Sequence, residues 1–160
     1  MLFNYVLNFW EVRYKVKEQV LANKKIYCID NGFVTAKGFR FSRNDGNLME
    51  NLVAIALRQL ELAGNINLYY WKNANQQEVD FVLQRSGKII ALIQVCTDLT
   101  DDRTRRREVN GLLTAGRDCA CENRVILTLD EERTKTEEWF GIRGVIQYIL
   151  LWKWLQRPVV

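Results

Sequence analysis

Histidine is absent from all 160 residues of this chain. That removes Ser-His-Asp and Cys-His nucleophilic triads, histidine general bases and histidine-ligated metal nucleases from the mechanisms the chain could carry by itself. Proline is reduced to Pro158. No apolar run reaches the roughly 18 residues of a membrane-spanning helix, so no membrane partner is expected. A GxxxxGK[ST] loop is missing as well, so no nucleotide site is expected here. The start, Met1-Leu2-Phe3-Asn4-Tyr5, lacks the basic-then-apolar layout of a signal peptide, and a cytoplasmic location is expected. The four cysteines, Cys28, Cys96, Cys119 and Cys121, form no CxxC pair and no disulfide framework, which favours free thiols over a zinc site.

What is present suits a single globular domain: 48% hydrophobic and 26% charged residues in a chain long enough for a real core. The net charge of +4 is uneven, with Arg103, Arg105, Arg106 and Arg107 inside five residues. Such a run either attracts phosphate backbones or is a solvated helix face. With histidine gone, the remaining chemistry is that of carboxylates, amides, lysine and arginine. That chemistry suits hard, oxygen-ligated cations such as Mg2+ or Mn2+.

The order of elements reads as follows. Residues 1–23 form an N-terminal arm or edge strand, aromatic-rich over 2–13 and short and polar over 15–23. Lys25-Ile26-Tyr27-Cys28-Ile29-Asp30 reads as a buried strand ended by Asn31-Gly32. Residues 38–46 read as a surface loop. A helix is expected from Asn47 as N-cap, with Glu50 completing a capping box and Gly64 at the C′ position. Strands follow over 67–72, 78–84 and 88–96, then a helix from about Asp101 to Cys119 capped by Thr100 or Asp101. An apolar strand over 123–129, a loop or short helix over 130–138, and a last strand or short helix over 144–155 complete the chain. Trp71, Trp139, Trp152 and Trp154 are expected to pack rather than to stack on bases. The order helix–β–β–β–helix–β describes an α/β fold with a mixed central sheet flanked by helices.

The segment Glu78-Val79-Asp80-Phe81-Val82-Leu83 and its successor Ile89-Ile90-Ala91-Leu92-Ile93-Gln94-Val95-Cys96 carry the chemistry. An aspartate, an amide and a thiol stand among apolar strand residues, where polar groups are costly unless bound or paired. A three-residue loop, Arg85-Ser86-Gly87, sets Gln84 opposite Lys88, Asp80 opposite Leu92 and Glu78 opposite Gln94. Asp80 and Gln94 then become diagonal neighbours on one face, whereas a two-residue loop would put them on opposite faces.

Several stretches together resemble PD-(D/E)XK nucleases. They are Lys24-Lys25-Ile26-Tyr27-Cys28-Ile29-Asp30-Asn31-Gly32, Met49-Glu50-Asn51-Leu52-Val53-Ala54, Tyr70-Trp71-Lys72, Glu78-Val79-Asp80-Phe81-Val82, Ile93-Gln94-Val95-Cys96 and Thr104-Arg105-Arg106-Arg107-Glu108. The likeness is closer still to the domain that follows the ATPase module in many prokaryotic AAA-type ATPases. It implies a restriction-endonuclease-like α-β-β-β-α-β core over residues 24–160, and that the chain is the C-terminal part of a longer ATPase. It also implies that Asp80 is the first metal-binding acid and Glu50 the helix glutamate of the metal shell. Gln94 stands where the second acid belongs and Cys96 where the lysine belongs.

Two functions follow from the resemblance. In one, Asp80, Gln94 and Cys96 form a degenerate catalytic set in which Glu50, Asp80 and Gln94 hold Mg2+ or Mn2+ and DNA is cut as the run Arg103, Arg105, Arg106 and Arg107 holds its backbone. In the other, the domain is catalytically inactive and binds nucleic acid or docks the ATPase module.

Overall fold

The computed structural model describes residues 6–11, 24–32, 35 and 45–158. The readings placed on residues 1–5 and 12–23, and most of the loop expected over 38–46, lie outside the described residues.

Eight strands join into one mixed sheet: β1 (Val6–Glu11), β2 (Lys24–Cys28), β3 (Asn67–Lys72), β4 (Glu78–Arg85), β5 (Lys88–Val95), β6 (Arg124–Thr128), β7 (Arg133–Trp139) and β8 (Ile142–Leu150), in the order β2-β1-β3-β4-β5-β6-β8-β7. Neighbours run parallel at β1/β3, β5/β6 and β6/β8, and antiparallel elsewhere. Among the described residues, three helices flank it: α1 (Asp45–Leu62), α2 (Asp102–Asp118) and α3 (Leu151–Gln156). Met49, Val53, Ala54 and Leu57 of α1 pack with Leu151 and Trp154 of α3 against Phe9, Phe81, Leu83, Ile93 and Leu127. Val109, Leu112 and Leu113 of α2 pack on Val79, Val82, Leu92, Ile126, Ile146 and Tyr148. The apolar stripes of the helices thus cover opposite faces of the sheet, the arrangement that lets β6 be buried along its whole length.

Element ends follow from local chemistry. Helix α1 closes in a Schellman motif, with Asn65 N–H donating to the Leu60 carbonyl and Gly64 N–H to that of Glu61, and Gly64 at φ +77°. Asp101 caps α2 by accepting the Thr104 N–H at 2.8 Å.

Four expectations are corrected. Helix α1 begins at Asp45, so Asn47 lies inside it, and Glu50 turns to Lys25 and Tyr27 instead of closing a capping box. The strand at β2 is an edge strand rather than a buried one, with Ile26 67% exposed, whereas β1 lies inside the sheet between β2 and β3. Residues 133–139 form β7, an edge strand whose mostly exposed polar residues hide its character. Residues 142–156 hold both a strand and a short helix.

The β4–β5 hairpin departs from expectation as well. Arg85 pairs with Lys88, so the loop is the two residues Ser86 and Gly87, both at positive φ (50° and 79°) as a type I′ turn requires. Beyond it Gln84 pairs with Ile89 but Leu83 with Ala91, leaving Ile90 as a bulge. The extra residue changes the register again, to Val82 with Leu92 and Phe81 with Ile93. Continued by one residue, this sets Asp80 directly opposite Gln94. The bulge keeps together two residues that a plain two-residue hairpin would separate.

Candidate functional site

A second irregularity aims Asp80. Tyr69 pairs with Val82 and Trp71 with Val79, so Tyr70 alone faces both Asp80 and Phe81. Alternation breaks there: Val79 and Val82 both pack on the α2 side while Phe81 and Leu83 pack on the α1 side. Bulges re-aim side chains in this way. The Asp80 carboxylate ends beside β2 and α1, where Lys25 Nζ lies 2.6 Å from its Oδ1 and the Val95 N–H donates to its Oδ2 at 3.0 Å.

Lys25 is the centre of the cluster. Its ammonium lies 3.0 Å from Glu50 Oε1 and 2.7 Å from Glu78 Oε1 as well. One ammonium thus meets three carboxylates, donating hydrogen bonds to Glu50 of α1 and Asp80, the third residue of β4, and pairing by charge with Glu78, its first. Tyr27, two residues along the same edge strand, donates its hydroxyl to Glu50 Oε1 at 2.5 Å. Its ring packs against Phe9 and Phe81, with centroids 5.1 and 5.6 Å away, which fixes the hydroxyl's position. Lys72 Nζ approaches Glu78 from the outside at 3.5 Å.

Charge and burial pull against each other here. Burial pushes the Asp80 carboxyl up to about 7, with Lys25 opposing and Glu50 adding to the rise. Burial works against the charge on Lys25, but Asp80, Tyr27 and Glu50 outweigh it and hold the ammonium above the ordinary lysine range. Burial, with Glu50 and Asp80, also raises the Tyr27 hydroxyl against the pull of Lys25.

Gln94 is brought beside Asp80, but both ends of its amide are engaged elsewhere than on the Lys25 cluster's carboxylates. Its Oε1 accepts the Asp80 backbone N–H at 3.1 Å, and its Nε2 donates to Glu108 Oε2 of α2 at 2.5 Å. Glu108 in turn receives Arg107 Nη2 at 2.5 Å on its other oxygen. The Cys96 thiol donates to the Asp98 carbonyl, and burial pushes it up to about 11. All four cysteines are free thiols. A cleft of about 350 Å³ opens over Glu50, Asp80, Gln94, Cys96, Arg107 and Glu108.

The arginine run divides. Arg105 pairs with Glu131 and Glu137 and lies over the Tyr148 ring, Arg107 is held by Glu108, and Arg103 and Arg106 line a neighbouring surface hollow that shares Asp101 and Arg107 with the cleft. Sequence reasoning named Glu50, Asp80 and Gln94 but not Lys25, Tyr27, Glu78 or Glu108. The signal available was the spacing Lys25-x-Tyr27, which puts an ammonium and a hydroxyl on one face of a strand.

Comparison with known proteins places these residues in context. Residues 45–148 match the family model described as a domain of unknown function, DUF4143. The chain is also similar to an uncharacterized protein of Methanocaldococcus jannaschii, MJ1544, at 31% identity over 143 residues. That alignment covers 88% of the chain and 31% of the relative, so the chain spans about a third of the length of the protein it matches.

Proposed function

This chain belongs to the DUF4143 family, and on that footing we propose that it is a PD-(D/E)XK nuclease-like domain of a prokaryotic ATPase whose catalytic centre has lapsed, leaving a module that docks within a longer protein. The order α1-β3-β4-β5-α2-β6, with an inward aspartate on the middle strand of the meander, supports the restriction-endonuclease-like part of this reading. That the relative is about three times longer than the matched stretch supports the docking part.

One observation carries the loss of catalysis: Lys25 Nζ sits within 3.0 Å of carboxylate oxygens from Glu50, Glu78 and Asp80. A magnesium or manganese ion at this place needs oxygens free to converge on it. Here three carboxylates already converge on an ammonium, and the Gln94 oxygen is spent on a backbone N–H. The residues present do not fit a divalent ion. An ammonium neutralises charge as a metal does, but it has no open coordination position from which to activate water.

A magnesium-dependent endodeoxyribonuclease is the competing reading. It is favoured by the same lysine, since Lys25 returns from β2 the basic group that Cys96 lacks. Calorimetry with Mg2+ and Mn2+, run beside a plasmid-nicking assay, separates the two. The lapsed module gives no metal heat and no nicking; nicking that needs the metal and disappears in Asp80→Ala overturns it.

A further inference from the structure

The surface hollow beside α2 combines features that the carboxylate cluster does not use. Arg103, Arg106, Arg107 and Asn110 line it from α2 and Trp139 lines it from the end of β7, around a volume of about 650 Å³. The helical residues stand at i, i+3, i+4 and i+7, which is one continuous stripe of the helix surface. The opposite stripe, Val109, Leu112 and Leu113, is buried in the core. Arg105 and Arg107 are neutralised by glutamates, whereas among the described residues neither Arg103 nor Arg106 makes a close ion pair, Arg103 acting only at longer range on Asp101. Asp101 and Asp102 also line the hollow, at its end nearest the helix start, and Asp101 is engaged as the cap.

The other wall is aromatic. The Trp139 and Phe140 rings meet edge to face, with centroids 5.1 Å apart. Phe140 is 90% exposed at the tip of the β7–β8 hairpin, a placement that core packing does not explain. The Trp139 Nε1 donor is shielded from solvent without an acceptor. Cations on one wall, and on the other a tryptophan whose neighbour is an exposed ring, are the complement of an unstacked base on a phosphate chain.

We infer that this hollow binds single-stranded nucleic acid, with Arg103 and Arg106 on the phosphates and Phe140, backed by Trp139, under a base. Duplex is excluded from the same contact, because its bases present no free face to the hairpin tip. The inference goes beyond the docking reading and does not rest on it. Binding here requires no cleavage, and cleavage at Asp80 would leave this binding unaccounted for.

Fluorescence anisotropy of the whole chain with a labelled oligothymidylate of about 12 nucleotides tests it, a length within the usual footprint of such sites. The expected affinity falls with salt at a log–log slope of about −1 to −2, as two or so phosphate contacts dictate. Arg103→Ala and Arg106→Ala should each flatten that slope by about 0.7. Phe140→Ala, at an exposed position that leaves the core intact, should weaken binding by about 5- to 150-fold. A labelled blunt-ended duplex without loops should bind more weakly and ignore Phe140→Ala. No binding at low salt, or binding that survives both Phe140→Ala and the double arginine variant, overturns the inference. So does duplex bound more tightly than the single strand.

Discussion

Lys25 Nζ lies 2.6 Å from Asp80 Oδ1 across 55 residues of chain. The bond ties an edge strand to the middle of the sheet, and it does so through a buried charge. Because Glu50 and Glu78 share the same ammonium, removing it leaves three carboxylates facing one another. Lys25→Met keeps most of the stem's volume and removes only the charge. Loss of about 3–5 kcal/mol in urea unfolding is expected, the cost of stranding buried charge. Added Mn2+ should recover part of the loss in this variant, since a ligand that binds only the folded state stabilises it, and leave the native protein unchanged. A methionine variant as stable as the native chain contradicts the assignment of Lys25 as the cluster's counter-ion.

Alkaline pH probes the same group without mutation. Lys25 and Tyr27 both hold their protons above their ordinary range, Lys25 through its acidic neighbours against the cost of burial, and Tyr27 through burial with help from Glu50 and Asp80. In the unfolded chain they titrate near about 10.4 and 10. Above that the unfolded chain releases protons that the folded one retains, so stability falls as pH rises, by up to about 1.4 kcal/mol per pH unit for each group. Their contribution is whole below the unfolded values and is lost only above them. Urea midpoints between about pH 9 and 11.5 should therefore fall steeply in the native chain and less steeply in a Lys25→Met/Tyr27→Phe variant. Equal slopes would remove these two groups as the cause.

Much of this arrangement is legible in the chain itself. Gly64 marks the end of α1, Asp101 the start of α2, and an aspartate in an apolar strand marks the site. The bulge at Ile90 is not legible, because Ile89-Ile90-Ala91-Leu92-Ile93 is apolar throughout and an inserted residue leaves no break in its pattern. Strand β7 is hidden for the opposite reason: at the sheet edge it is polar on both faces and shows no alternation. Lys25 is missed because its partners lie 25, 53 and 55 residues away, on elements whose relative placement only the folded sheet fixes.

Gln94 invites the substitution that would restore an acid at this position. Its amide now donates to Glu108 Oε2 at 2.5 Å, and a glutamate has no donor to give when ionised. Gln94→Glu therefore sets two buried carboxylates against each other and leaves the Asp80 N–H with a crowded acceptor. A loss of about 1–3 kcal/mol is expected at neutral pH, the cost of an unsatisfied buried polar group. The loss should shrink toward about pH 5, where one carboxyl of such a pair takes up a proton and donates it to the other. Urea unfolding at the two pH values checks this, and a variant stabilised at neutral pH would contradict the geometry.

Gly111 controls how closely α2 approaches the strand that carries Glu78 and Asp80. A Cβ at this position would stand 2.8 Å from the Glu78 carbonyl oxygen, which is backbone and cannot swing aside. Alanine is the better helix former by about 1 kcal/mol, but overpacking against a strand costs about 1–3 kcal/mol. The net expectation for Gly111→Ala is destabilisation, together with a displaced β4 and altered amide shifts at Glu78, Asp80 and Val95. Gly46→Ala is the matched control, because among the described residues its Cβ meets only Thr97 Oγ1, at 3.8 Å, within the first turn of α1. That variant should be neutral or gain up to about 1 kcal/mol from helix propensity alone. If both substitutions stabilise equally, the close approach of α2 to β4 is not what holds the carboxylates over Lys25.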